Sequence, residues 1–163
     1  MKKELQNIQV GAGLGSILFG MSRAEISAII GEPNEKITES YTDDGENLTE
    51  IWHYDELELS LGFDEEDDWQ LVSIAVTSPF YLLESVSLIG KEVEAVQTEL
   101  QNIGVSDLEL EDWSSAENPD HKLLTSDDES MNFWFDQDIL TEIQWSPLFA
   151  DEETILFTQI NGQ

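Results

Sequence analysis

Two short segments of this 163-residue chain have the two-residue period of a β-strand, and in residues 57–63 the alternation between apolar and other residues is strict. Residues 57–63 and 131–135 place an apolar side chain at every second position. Successive side chains of a β-strand point to opposite faces of its sheet, so this alternation is typical of a strand with one buried face. The chain is therefore predicted to form antiparallel sheet with one face packed on a core.

A second pattern occurs twice along the chain, once in each half. Residues 17–31 and residues 87–104 each consist of an apolar pair, a glycine, a short amphipathic stretch and a closing glycine. In the first copy, Ser22 and Glu25 have the spacing of a capping box, and Gly31 occupies the usual position of a helix stop. Both amphipathic stretches are therefore predicted to be short helices.

Segments with strand character follow each predicted helix. They are residues 50–54, 57–63 and 71–76 in the first half, and residues 121–125, 130–135 and 140–145 in the second. We therefore predict an α+β fold of two tandem helix-plus-antiparallel-strand repeats, residues 1–80 and 81–163. The repeats are expected to form one sheet with the helices on one face and to pack as one rigid unit.

The segments between these elements are predicted to be turns and loops. The acidic residues 64–68 and 107–112 are assigned to turns and inter-strand loops, because runs of carboxylates are solvated. The apolar residues 79–86, between the two halves, are expected to pack as a short helical turn.

The first predicted helix also carries a family resemblance. The sequence Phe-Gly-Met-Ser-x-x-Glu runs from Phe19 to Glu25, and Ile-Gly-Glu-Pro runs from Ile30 to Pro33. Together they resemble the β-lactamase-inhibitor-protein-like fold and the related outer-membrane lipoprotein repeats of the SmpA/OmlA type. The match covers residues 17–33, and the second half matches in pattern only. The resemblance implies a non-catalytic protein that presents a sheet face and loops to another protein.

Charge excludes several classes of partner. The chain has 36 Asp and Glu against 6 Lys and Arg, a formal net charge of −30, and Arg23 is its one arginine. Binding to nucleic acid phosphates or to an anionic membrane needs clustered Lys and Arg, so we expect neither. No stretch resembles a signal peptide or a membrane span, and there is no cysteine, so a cytoplasmic location is predicted.

The sequence gives no catalytic or cofactor signature. It contains no Gly-x-Ser-x-Gly elbow, and His53 and His121 are interpreted as strand and edge residues. The acidic runs lack the ligand spacing of a calcium loop, and the glycines of residues 11–15 lack the strand that precedes a dinucleotide loop. We therefore predict that the protein is not an enzyme and binds no cofactor or metal.

Tryptophans beside carboxylates are the candidate binding residues. Trp134 lies between two apolar strand residues and is predicted on the opposite face, whereas Trp145 is predicted in the core. An aromatic anchor rimmed by charge is typical of a protein interface. The candidate protein-binding residues are Trp69, Trp113, Trp134, Asp67, Asp68, Glu111 and Asp112.

These features predict an acidic protein-binding module that neutralises a basic protein partner, as an inhibitor or immunity protein does with a toxin. Two alternatives remain open from the sequence. The chain could be a nucleic-acid mimic that occupies a DNA-binding groove, or its acidic surface could serve solvation in a saline cytoplasm without a dedicated basic partner.

Overall fold

The structure is a computed structural model that describes residues 5–40, 48–65, 68–105, 107–114, 116, 121–126, 130–149 and 155–156. In chain order its elements are β1 (Asn7–Gln9), β2 (Gly13–Leu14), β3 (Ile17–Leu18), α1 (Arg23–Ile30), β4 (Glu35–Ser40), β5 (Leu48–Tyr54), β6 (Leu59–Asp64), β7 (Gln70–Val76), β8 (Leu82–Leu83), β9 (Val86–Ser87), α2 (Val93–Asn102), β10 (Leu108–Asp112), β11 (His121–Ser126), β12 (Met131–Asp136), β13 (Ile139–Trp145), β14 (Leu148–Phe149) and β15 (Ile155–Leu156). Neither helix in the described part of the chain is long and apolar enough to cross a lipid bilayer.

An eight-stranded antiparallel sheet organises the chain. Its strand order is β10-β11-β12-β13-β7-β6-β5-β4, so β10 and β4 are its two edges. The strands of the two chain halves meet where β13 pairs with β7, with Ile143 opposite Val76 and Trp145 opposite Ile74. The sheet therefore continues from one half of the chain to the other.

The two faces of this sheet differ in composition. The inner face is made by buried side chains that lie opposite one another across the strands, including Trp52, Leu61, Ile74, Trp145, Phe133 and Leu124. The outer face carries the alternate residues, including His53, Ser60, Ala75, Gln144, Asn132 and Trp134. This two-sided composition is what the alternating segments predicted.

A second sheet supplies much of the layer that covers the inner face. Its order is β3-β2-β1-β8-β9, antiparallel except for the parallel pair β1 and β8. Trp145 links the two sheets, because its buried indole Nε1–H donates to the carbonyl oxygen of Gly13 at 3.1 Å. Gly13 has φ +150, and a Cβ there would lie 2.1 Å from the carbonyl oxygen of Ile17, so only glycine fits.

The first helix begins as the sequence predicts. The Ser22 hydroxyl accepts a hydrogen bond from the Glu25 N–H at 3.2 Å, and the Glu25 carboxylate accepts one from the Ser22 N–H at 3.0 Å. This capping box is confirmed. Each helix is preceded by a glycine whose N–H donates to the large sheet, Gly20 to Leu71 at 3.0 Å and Gly90 to Leu140 at 2.9 Å.

Loss of the cap should be measurable. Ser22→Ala should lower the free energy of unfolding by about 1 kcal/mol, because it leaves the first-turn N–H of Glu25 without its acceptor. Ser27→Ala is the matched control, since the Ser27 hydroxyl donates to Ala24 inside the same helix and alanine has the higher helix propensity. Urea denaturation of the two variants should separate them, and equal stabilities would contradict the capping role.

The predicted α+β class is wrong. The described chain is mostly β, with two large sheets and two helices of 8 and 10 residues, and it is not an arrangement of helix-plus-strand repeats with helices on one face. The physical reason lies in the covering layer. Much of it is built from strands of two or three residues, which are too short for alternation to reveal. The division at residue 80 stays a prediction.

Two loop predictions are also wrong. Residues 107–112 contain strand β10, and with β4 at the other edge each half has four strands in the large sheet where three were predicted. Residues 79–86 contain β8 and the start of β9, joined at Glu84 and Ser85, which have φ +49 and φ +67. Two positive φ values in a two-residue connection favour a hairpin over a helical turn.

Candidate functional site

Three aromatic side chains meet on the outer face near the β10 edge. Trp134 belongs to β12, His121 begins β11, and Trp113 directly follows β10. The ring centroids of Trp113 and Trp134 are 5.6 Å apart at 76°, and His121 stacks on Trp134 at 5.4 Å and 17°. We call Trp113, Trp134 and His121 the aromatic cluster.

Strand register explains why the cluster forms. Phe133 and Phe135 point into the core and are fully buried, so alternation turns Trp134 outward, as predicted. Leu123 lies directly opposite Trp134, which makes His121 a diagonal neighbour of that ring. The N–H of Trp113 donates to the carbonyl oxygen of His121 at 2.8 Å and holds the end of β10 against β11.

Two large apolar side chains are exposed at this edge of the sheet. Among the described residues, the large hydrophobic side chains left exposed are Trp113, at 52%, and Leu110, at 46%. Leu110 belongs to β10 and Trp113 follows it by three residues, so the two side chains project on opposite faces. Trp113 therefore exposes apolar surface within the aromatic cluster, and Leu110 exposes it on the inner-face side of the same edge strand.

Carboxylates surround the aromatic cluster. Glu109 and Glu111 lie on the outer face of β10 and are exposed, and Glu142 on β13 lies directly opposite Trp134. Asp112 lies on the inner-face side of β10, and hydrogen bonds from the side chain and backbone of Ser114 lower its pKa. A shallow groove of about 320 Å³ is lined by His121, Trp134, Thr141 and Glu142.

Glu142 differs from the other carboxylates because burial raises its pKa. The folded state therefore binds this proton more tightly than the unfolded chain, and its contribution to stability falls as the pH rises through the folded pKa. Glu142→Gln should raise the melting temperature at neutral pH by a few degrees at most, and the gain should shrink toward about pH 4.

Thermal melts across this pH range check the sign, with Glu111→Gln as the control. Glu111 is exposed, so its replacement removes one negative charge without relieving burial. If the melting temperatures of the two variants rise equally at every pH, the effect comes from net charge and the argument from burial is wrong.

The predicted site residues do not all lie together. Trp113, Trp134, Glu111 and Asp112 share the β10 end of the sheet. Asp68 is exposed and precedes Trp69 at the start of β7, and Asp67 lies outside the described residues. The binding role of Trp69 stays a prediction. Its ring is half-buried and already has the Arg23 guanidinium 4.6 Å above it.

Sequence reasoning missed His121, Glu142 and Leu110 as site residues. The alternation Leu-Glu-Leu-Glu in β10 would have indicated a strand, but it lies within an acidic run that resembles a solvated loop. His121 and Glu142 join Trp134 only through the registers of β11 and β13 with β12, which depend on turn geometry.

A histidine–serine pair lies elsewhere on the outer face. His53 Nδ1 and Ser60 Oγ are 2.8 Å apart, at a groove of about 270 Å³ that Glu142 also lines. Both residues lie on interior strands, whose N–H groups bond to neighbouring strands. Acyl transfer requires donors that converge on a developing oxyanion, and these strands present none on the face itself.

The described residues contain no group of three or more His, Asp or Glu placed to hold a metal ion. Comparison of the chain with protein-family models, curated proteins and solved structures gives no match. The resemblance of residues 17–33 therefore stays a prediction, and the function is argued from the surface.

Proposed function

We propose that this protein is a non-catalytic binding module that neutralises a basic protein partner, in the manner of an inhibitor or immunity protein. The single observation that carries the proposal is the aromatic cluster beside β10, where Trp113 is half exposed and the carboxylates of Glu109, Glu111 and Glu142 share the outer face with it. Interfaces use a few large aromatic anchors for affinity, and surrounding charge for steering and specificity.

The distribution of cations supports this proposal. Arg23 pairs with Glu50 at 3.2 Å, Lys36 with Glu32 at 3.2 Å, and Lys122 with Asp138 at 2.6 Å. Two of these cations also lie over tryptophan rings, Arg23 over Trp69 and Lys36 over Trp52. Three of the six Lys and Arg side chains thus pair with carboxylates of the same chain, and with a net charge of −30 the surface attracts cationic proteins and repels other copies of itself.

The position of the aromatic cluster supports contact through the sheet and not through a catalytic pocket. His121 and Trp134 line a shallow groove, and the side chains of the cluster come from β12, from the start of β11 and from the residue after β10. Such a surface suits a macromolecule better than a small substrate, which needs a concave site. The proposed location is the cytoplasm, where a chain without cysteine needs no oxidising compartment to fold.

Capture from an extract of the source cell tests the proposal. The immobilised protein should retain a basic protein at about 50 mM NaCl and release it at about 500 mM, because screening weakens attraction between exposed charges. The proposal fails if no basic protein is retained at low salt, or if retention ignores salt. Competition by duplex DNA for the retained protein would instead favour the nucleic-acid mimic.

Thermal unfolding separates this function from adaptation to a saline cytoplasm. We expect one cooperative transition in dilute buffer, because buried side chains from both sheets belong to one contiguous hydrophobic core. Added KCl should raise the melting temperature modestly by screening carboxylate repulsion. A chain that unfolds in dilute buffer and folds only in molar KCl would contradict the binding proposal and support the saline one.

A further inference from the structure

Among the strands that the structure describes, none pairs with the outer edge of β10, which presents a row of backbone hydrogen-bonding groups. In an antiparallel pair, opposite residues alternate between those that exchange hydrogen bonds and those that do not. Trp113 donates to His121, so the hydrogen-bonded positions on β10 are Trp113, Glu111 and Glu109. The N–H and C=O groups of Leu108, Leu110 and Asp112 therefore point away from β11, toward the open edge.

The two edges of the large sheet differ in protection. Strand β4 carries Lys36, and lysine is a residue type that discourages pairing at an edge. Strand β10 reads Leu-Glu-Leu-Glu-Asp, without lysine, arginine or proline, and Leu110 on its inner-face side is 46% exposed. The β10 edge is therefore the one suited to receive another strand.

The side chains of β10 define the chemistry of that strand. Glu109 and Glu111 project on the outer face, and Leu110 projects on the inner face between them. A neighbouring strand would gain from cationic side chains opposite the glutamates and apolar side chains beside Leu110. Its cations would also reach exposed Trp113, whose ring can stabilise an ammonium or guanidinium group. A second copy of this chain would place glutamate opposite glutamate.

We propose that β10 receives an extended segment of the basic partner as a ninth strand, with lysine or arginine alternating with apolar residues. This inference rests on the proposed function and specifies its mode of binding. Main-chain hydrogen bonds to Leu108, Leu110 and Asp112 would supply affinity, and the alternating side chains would supply specificity.

A pair of peptides tests the mode of binding. The probe is a capped peptide of alternating lysine and valine, matched in length to β10, and the control has the same composition with its lysines and valines in separate blocks. The alternating peptide should bind at least about tenfold more tightly. Equal affinity would overturn strand addition while leaving a salt-sensitive acidic surface, so the proposed function would survive. Failure of both peptides to bind would also overturn strand addition.

Two variants of the full chain sharpen the test. Leu110→Pro removes an N–H that faces the open edge, whereas Leu110→Ala removes only the side chain. We expect Leu110→Pro to weaken binding of the alternating peptide at least about tenfold relative to Leu110→Ala, since proline is tolerated on edge strands but blocks a new partner there. Equal affinities would overturn the proposal.

Amide hydrogen exchange provides a readout on the unmodified chain. Adding the alternating peptide should slow exchange at Leu110 and Asp112, whose N–H groups face the open edge. Exchange at Glu109 and Glu111, which already bond to β11, should change less. Unchanged exchange at Leu110 with peptide bound would overturn strand addition even if Leu110→Pro failed to fold.

Discussion

Replacing both Trp113 and Trp134 with alanine should weaken binding of the basic partner at least about 30-fold. Truncating an aromatic anchor that is buried at an interface typically lowers the binding free energy by about 2 kcal/mol or more. A change of about 1.4 kcal/mol corresponds to a tenfold change in affinity. Trp113 presents half of its surface to solvent, and its edge-to-face contact with Trp134 holds both rings in place before binding. Titration calorimetry with the captured partner measures the loss.

Ile37→Ala is the matched control for these variants. Ile37 is a half-buried apolar residue on the same outer face, but it lies on β4 at the opposite edge of the sheet. It should leave the affinity within about threefold of the unmodified chain, in line with residues outside a hot spot. If Ile37→Ala and the double variant lose the same affinity, the binding surface lies elsewhere.

Trp145→Ala should cause the largest loss of stability, about 3–5 kcal/mol. Its indole is 1% exposed, fills the space between the two sheets, and donates to the carbonyl oxygen of Gly13. Removing it opens a cavity and leaves that carbonyl without its donor. Urea denaturation followed by far-ultraviolet circular dichroism measures the change.

Two further variants separate the parts of this effect. Trp145→Phe keeps most of the packing and loses the hydrogen bond. Its free energy of unfolding should therefore lie between that of the unmodified chain and that of Trp145→Ala. Trp113→Ala should change the free energy of unfolding by no more than about 0.5 kcal/mol, because an exposed residue contributes little to the core. Similar losses for Trp113→Ala and Trp145→Ala would contradict the division of tryptophans into anchor and core.

Alternation predicted the central strands because those strands have one buried and one exposed face. It correctly placed Phe133 and Phe135 inward, Trp134 outward and Trp145 in the core. The capping box was equally local, and it is present at Ser22 and Glu25. Features determined within a few residues of one another can be predicted from sequence in this chain.

The edges and the covering layer could not be predicted in this way. Strand β10 has its partner on one side only, so its side chains stay solvated and its carboxylates resemble those of a loop. The second sheet uses very short strands that depend on contacts distant in sequence, such as Asn7 with Leu82. These omissions explain why a mostly β chain was assigned to the α+β class.

The aromatic cluster was predicted in part. Trp113 and Trp134 were each selected as candidate anchors from the sequence, but their contact depends on two strand registers that the sequence does not reveal. Trp69 was selected by the same criterion, a tryptophan beside carboxylates, yet its ring contacts Arg23 within the fold. Only three-dimensional placement separates an exposed anchor from a tryptophan with an internal partner.

Hydroxyl-radical footprinting of the tryptophans tests the central claim most directly. It compares the oxidation rate of each indole in the free protein and in its complex with the captured basic partner. We predict that oxidation of Trp113 falls several-fold on complex formation and that of Trp134 falls with it, whereas buried Trp52 and Trp145 stay slow in both states. Unchanged oxidation of Trp113 in a saturated complex would contradict the assignment of this surface.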